Sequence, residues 1–312
     1  MTLFYLAIGV LCILAIRGAL APGGFGSILP ALQRVSALSL TASAAAIVGV
    51  YSVVWVMEQV SLRDANAPMT ARMQVAVPMI VNALATGAGF GIMSGGALRA
   101  RLYAPAGVTP KTAFVAASCL TLISVGGGGF LASLGLLLAN VQFVGLIGPV
   151  ASFFLKLVGA GGLLALIGLT LTGGPHGRTI RIAGNDIRLP PTRGLMWRIG
   201  LGATDWILSA LALYVLLPPA VRPPYVDFLA TFASFQLVAL STGTPGGLGV
   251  FEAMMLSFGY GHASPELMAA SLVCYRLTSF VAPVLLGLVA LAILEAYRRK
   301  RKVRSGAPAD AG

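Results

Sequence analysis

Thr112 to Gly177 reads TAFVAASCLTLISVGGGGFLASLGLLLANVQFVGLIGPVASFFLKLVGAGGLLALIGLTLTGGPHG, and Lys156 is its only formally charged residue. A bilayer crossing takes about 20 consecutive apolar residues as a helix, so this stretch alone is long enough to cross twice. The rest of the chain agrees. Of 312 residues, 57% are apolar and 10% charged, against roughly 25% charged in an average soluble domain, and the mean hydropathy is +0.91. The reading is an all-α polytopic membrane protein. It forms a single membrane domain over 1–296, with a basic, disordered tail over 297–312.

The net charge of +12 does not point to nucleic acid. The basic residues sit at the edges of apolar segments and in the tail from Arg298 to Arg304, where they act as topology signals and meet anionic lipid headgroups. Cys12, Cys119 and Cys274 fall inside apolar runs without metal-ligand or disulfide spacing, so they read as packing residues. His176 and His262 are far apart in loops, and no metalloprotease, nucleophile-elbow or phosphate-loop motif is present. Neither enzyme activity nor a cofactor or metal is expected. Leu3–Ile16 has the length of a signal peptide, but no Lys or Arg precedes it and Arg17 follows, which favours a retained first helix.

Apolar windows follow at Ser36–Met57, Met73–Leu98, Thr112–Ala139, Phe143–Leu171, Ile199–Leu217, Phe228–Phe251 and Ser264–Leu294. The one sizeable polar loop is 173–193. Within it, Thr179 to Leu189 alternates apolar and polar residues around Gly184-Asn185-Asp186, which predicts a small cytoplasmic β-hairpin.

Two windows are poor straight helices. Met73–Leu98 holds Gly87, Gly89, Gly91, Gly95 and Gly96 downstream of Pro78 and Asn82; Phe228–Phe251 holds Thr242-Gly243-Thr244-Pro245-Gly246-Gly247-Leu248-Gly249. Proline removes a helix donor and clustered glycine weakens the ladder, so both windows are candidates for breaks; a kinked continuous helix is the alternative. They also resemble each other. Ala83-Leu84-Ala85-Thr86-Gly87 returns as Ala239-Leu240-Ser241-Thr242-Gly243, and the helix-capping pair Thr109-Pro110 returns as Ser264-Pro265. This outlines two repeats, about 36–139 and 199–294.

Positive charge orders the topology. If both broken windows dip in and return, the tail, the arginines of the 173–193 loop (Arg178, Arg181, Arg188, Arg193) and Arg63, Arg72, Arg99, Arg101 and Lys111 all fall on the cytoplasmic side; Arg17, Arg34 and Arg222 fall outside. The expectation is about six full transmembrane helices plus two re-entrant ones in an inverted repeat, a design recurrent among secondary transporters.

The block Pro245-Gly246-Gly247-Leu248-Gly249-Val250-Phe251-Glu252, followed by Tyr275-Arg276, resembles the transmembrane region of the lysylphosphatidylglycerol synthase/flippase family, which includes the bacterial multiple peptide resistance factor and shorter membrane proteins. Asn82, the glycine run, Gly96-Ala97-Leu98-Arg99 and Arg101-Leu102-Tyr103 fit as well, and the likeness covers about Ser36 to Leu294. The resemblance implies a lipid flippase or transporter of the bacterial inner membrane, moving an anionic or aminoacylated lipid. The alternative is a non-transporting accessory subunit that partners a separately encoded lipid-modifying enzyme. The soluble aminoacyl-transferase domain of the full-length members has no counterpart here, so synthase activity is not expected.

Charges within apolar windows are costly and default to functional candidates. Arg276 has a planar fork suited to a lipid phosphate, and Glu252 is its expected ion-pair partner. The pair serves headgroup binding, a structural staple, or both. Lys156 and Asp205 pair across helices or handle lipid or protons. Glu58 is read as a solvated helix end. Arg99 and Arg101 capture headgroups or anchor the cytoplasmic side. Thr242 and Thr244 offer hydroxyls beside the break formed by Pro245, Gly246, Gly247 and Gly249; Gly87, Gly89 and Gly91 form the first break.

Overall fold

A computed structural model describes residues 28–68, 76–88, 91–138, 148–172, 174, 177–182, 185–257 and 264–304. The Leu3–Ile16 window, Cys12, Arg17, Arg72, Gly89, His176 and His262 lie outside them. The short α1 (Ile28–Leu32) leads into α2 (Ala37–Asp64). The first broken window forms α3 (Ala76–Ala88) and α4 (Gly91–Tyr103); α5 (Pro110–Leu138) and α6 (Gly148–Thr172) follow. Then come the strands β1 (Arg178–Ile182) and β2 (Asn185–Leu189), and α7 (Thr192–Tyr214). The second broken window gives α8 (Tyr225–Ser241) and α9 (Val250–Ser257); α10 (Pro265–Arg276) passes through a π-turn, Leu277–Val281, into α11 (Ala282–Arg304).

Local chemistry sets these ends. Ser36 caps α2 by accepting from the Ser39 amide at 3.0 Å. Thr109 Oγ1 accepts from the Thr112 amide at 3.2 Å and Ser264 Oγ from the Leu267 amide at 3.4 Å, each with proline in the first helical position. The two repeat-related capping pairs therefore start α5 and α10 as expected.

Helix α5 is the hub, packed against α2, α4, α6, α7 and α8. Its approach to α7 depends on glycine. A Cβ at Gly127 would run into the backbone of Gly202 and Ala203, and one at Gly202 into the Ile123 carbonyl. Small residues at such crossings let backbones meet where apolar burial supplies little drive. The larger core cluster joins α7 to α10, with Phe228, Phe232, Phe251 and Tyr275 in edge or stacked contact. A second cluster joins α3, α4 and α5 around Val81, Leu102 and Tyr103.

Four described helical runs, Ala37–Asp64, Pro110–Leu138, Ser152–Thr172 and Glu266–Arg298, are long and apolar enough to cross a bilayer. They show apolar side chains outward: Phe153, Phe154, Val158 and Leu164 on α6, Leu285, Leu286 and Val289 on α11. Water would penalise so large an apolar surface; lipid does not.

Both broken windows divide, and in each the halves pack on one another, α3 on α4 and α8 on α9. Gly87 is still inside α3 and Gly91 begins α4. In the second break Gly243, Gly246, Gly247 and Gly249 all adopt left-handed backbone. Gly247, at φ 72°, also lies where a Cβ would come within 2.8 Å of the Ala239 side chain, so conformation and space both exclude a larger residue.

Three expectations need correcting. The polar loop forms the hairpin, but Asn185 and Asp186 are strand residues, opposite Ile182 and Arg181, and not turn residues. The last window is not one plain helix, because the π-turn interrupts it just after Arg276. Helix α11 continues through the basic run to Arg304, where a disordered tail from 297 was expected.

Candidate functional site

A cavity of about 270 Å³ lies between α2, α5, α7, α8 and α10 and reaches the second helix break. Its polar lining includes Tyr51, Asn82, Ser124, Asp205, Gln236 and Arg276, set among apolar groups such as Met57 and Trp206. Ser279 and Phe280 join it from the π-turn. Single π-turns often occur at functional sites, since one extra residue re-aims the side chains around it.

Arg276 and Glu252 meet as expected. Arg276 Nε donates to Glu252 Oε1, and Nη1 donates to the Gly246 carbonyl at 3.3 Å. Glu252 Oε2 accepts from the Gly249 amide at 2.7 Å, and Gln236 Nε2 donates to the same Gly246 carbonyl at 3.3 Å. The pair thus holds the irregular backbone of the break, satisfying groups that would otherwise be unpaired at membrane depth. The guanidinium also lies 5.7 Å from the Phe251 ring centroid and 6.0 Å from that of Tyr275. One nitrogen remains over. Arg276 Nη2 is buried and has no hydrogen-bond partner among the described residues.

Asp205 also lines the cavity, at 9% exposure. It accepts from Ser124 Oγ at 3.0 Å, and Ser124 Oγ in turn accepts from Trp206 Nε1 at 3.0 Å. Lys156 does not reach it. That lysine is on the outward face of α6, away from the cavity, and has no ion pair among the described residues. The expected Lys156–Asp205 pair is absent because α6 turns most of its surface outward and packs mainly along α5.

Helices α2 and α4 are joined by an ion pair that no charge pattern in the sequence announces. Arg99 forms a two-pronged pair with Glu58, its Nε donating to Oε1 at 2.9 Å and its Nη2 to Oε2. Asn82 Oδ1 accepts from Arg99 Nη2 at 3.1 Å, Asn82 Nδ2 donates to Glu58 Oε2 at 3.2 Å, and Tyr103 Oη donates to Glu58 Oε1 at 3.0 Å. The side chains of Arg99 and Glu58 are 3% and 0% exposed. Glu58 is therefore not a solvated helix end, and Arg99 is neither a free headgroup hook nor a topology charge. Arg101, by contrast, is on the surface and pairs with Glu295 at 3.0 Å, outside the cavity. Thr242 and Thr244 share a hydrogen bond of 3.1 Å, and Thr242 also donates back to the Ala239 carbonyl at 2.7 Å. Of the proposed site residues, the structure gathers Arg276, Glu252, Asp205 and Gly246 at or beside the cavity, with Asn82, Ser124 and Gln236 added.

No family model matches the chain. It is similar over 318 residues to a protein of Synechocystis sp. named uncharacterized protein slr0712, at 27% identity, covering 99% of this chain and 94% of the relative. It is also similar to the inner membrane protein YbhN of Escherichia coli, 24% identical over 131 residues, which is 42% of this chain and 41% of that one. A third relative is a UPF0104 membrane protein of Methanothermobacter thermautotrophicus, 32% identical over 87 residues, 27% of this chain and 25% of its own. The chain is a membrane protein. The relatives' names and the outward apolar surface of α6 and α11 agree on that.

Proposed function

We propose that the protein is a flippase or transporter for an anionic or aminoacylated lipid, or a lipid-linked substrate, in the bacterial inner membrane. One observation carries the reading: Arg276 lines a cavity built at a helix break, and its buried Nη2 is left without a hydrogen-bond partner among the described residues. An unsatisfied charged donor inside a membrane protein is costly, and a phosphate oxygen is the acceptor whose geometry suits it. Small-molecule cavities typically run to about 300–1,000 Å³. A volume of about 270 Å³ suits a headgroup, with the acyl chains left outside in lipid.

The resemblance of Pro245 to Glu252 to the lysylphosphatidylglycerol synthase/flippase family supports the same reading. The two broken windows support alternating exposure of the cavity through an inverted repeat. Charged ties at helix ends fit a cytoplasmic face with the C-terminus on it: Arg198 with Asp64 at 2.6 Å, and Arg101 with Glu295 beside the last helix.

The test is headgroup translocation by the purified protein in vesicles containing a fluorescent phosphatidylglycerol. The wild type is expected to expose the probe to a membrane-impermeant quencher. Arg276→Ala, shown to be folded, is expected to lose that activity. Equal translocation by both would overturn the assigned role of Arg276.

A further inference from the structure

Asp205 is the only carboxylate that lines the cavity, and it forms no ion pair among the described residues. Glu58 is paired with Arg99, and Glu252 with Arg276. Among the described residues Asp205 accepts from the Ser124 hydroxyl alone, on Oδ2, and its side chain lines the same cavity as Arg276. A naked carboxylate in such surroundings is strongly disfavoured. It resolves that cost by taking a proton or by binding a cation.

The surroundings favour the proton. The groups that line the cavity with Asp205 include Tyr51 from α2, Asn82 from α3, Ser124 from α5, Gln236 from α8, and Tyr275 and Arg276 from α10. Of these only Tyr51, Tyr275 and Arg276 are titratable or charged, and Arg276 is cationic. Lys156 on α6 faces away. A hard metal ion takes six or more oxygens and prefers several carboxylates, and no acidic or histidine cluster able to hold one exists among the described residues.

We infer that Asp205 is a proton-binding site of this cavity, linked to the occupation of Arg276 by a phosphate. Loss of the proton places a negative charge in the same small volume as the anionic headgroup. Proton and headgroup therefore bind together, each strengthening the other by the same factor. Only this linkage rests on the lipid reading above; proton binding does not.

The test uses the full chain in phosphatidylcholine nanodiscs. Infrared titration from about pH 8 to about pH 5.5 is expected to show a protonated-carboxyl band that Asp205→Asn removes. Ser124→Ala, which keeps the acid and deletes its hydrogen bond, shifts that band. Short-chain phosphatidylglycerol is expected to bind about tenfold more tightly at the acid end, and Asp205→Asn holds the tight affinity at both ends. A band that is missing from the wild type, or that persists in Asp205→Asn, overturns the proton site. A wild-type pH dependence of binding in Asp205→Asn overturns the linkage. A normal band without phosphatidylglycerol binding at either pH sinks the linkage and the anionic-lipid reading, and leaves the proton site standing.

Discussion

Glu58 and Arg99 are 41 positions apart in the chain and meet as a two-pronged ion pair withdrawn from solvent, with Asn82 and Tyr103 completing their hydrogen bonds. Asn82 belongs both to this network and to the cavity wall. Helices α2, α3 and α4 thus brace the site that α10 lines with Arg276.

Removing one partner strands the other charge, which costs about 3–5 kcal/mol in comparable buried pairs. Glu58→Ala or Arg99→Ala should therefore lower the thermal midpoint in detergent sharply. The double substitution Glu58→Leu with Arg99→Met should be less damaging than either single change. If the singles leave the midpoint where it was, the pair does not brace the fold.

Gly247 is the most restrictive point of the second break. Gly247→Ala adds a methyl at left-handed φ and against Ala239, at a cost of about 1–3 kcal/mol. The same thermal measurement checks it. Headgroup translocation should fall as well, because the Gly246 carbonyl that receives Arg276 belongs to the same turn.

The α5–α7 crossing supplies its own control. Gly127→Ala should be strongly destabilising, since its Cβ meets backbone that cannot step aside. Gly129→Ala, two residues on, meets nothing within 4 Å and should be neutral or stabilising by up to about 1 kcal/mol through helix propensity.

Lys156 offers a negative test of the site. On the outward face of α6, its replacement by Gln should leave headgroup translocation within about twofold of wild type. A large loss would mean that lipid reaches the cavity past α6.

Much of this is legible in the sequence. Serine and threonine next to proline predicted the starts of α5 and α10, and proline with glycine predicted both breaks, because these signals act within a few residues. The Glu252–Arg276 pair was also within reach, since each is an isolated charge in an apolar window. The partners of Arg99 and Asp205, and the outward placement of Lys156, were not. An apolar window shows that a charge needs a partner, but not which helix brings it. Ser124, Gln236 and Trp206 gave no signal at all, being ordinary residues until α5, α7 and α8 pack together.

Composition and short-range pattern by themselves determined that this chain lives in a bilayer, that its helices begin where capping residues stand, and that two of its windows break. These follow from solvent transfer and from backbone chemistry, both of which are local. Only the tertiary structure decided that Glu58 belongs to Arg99, that Lys156 faces outward, and that Asp205 shares a cavity with Arg276. Each depends on which faces of distant helices meet. The glycine contacts of α5 with α7 and the aromatic core of α7 to α10 choose those faces.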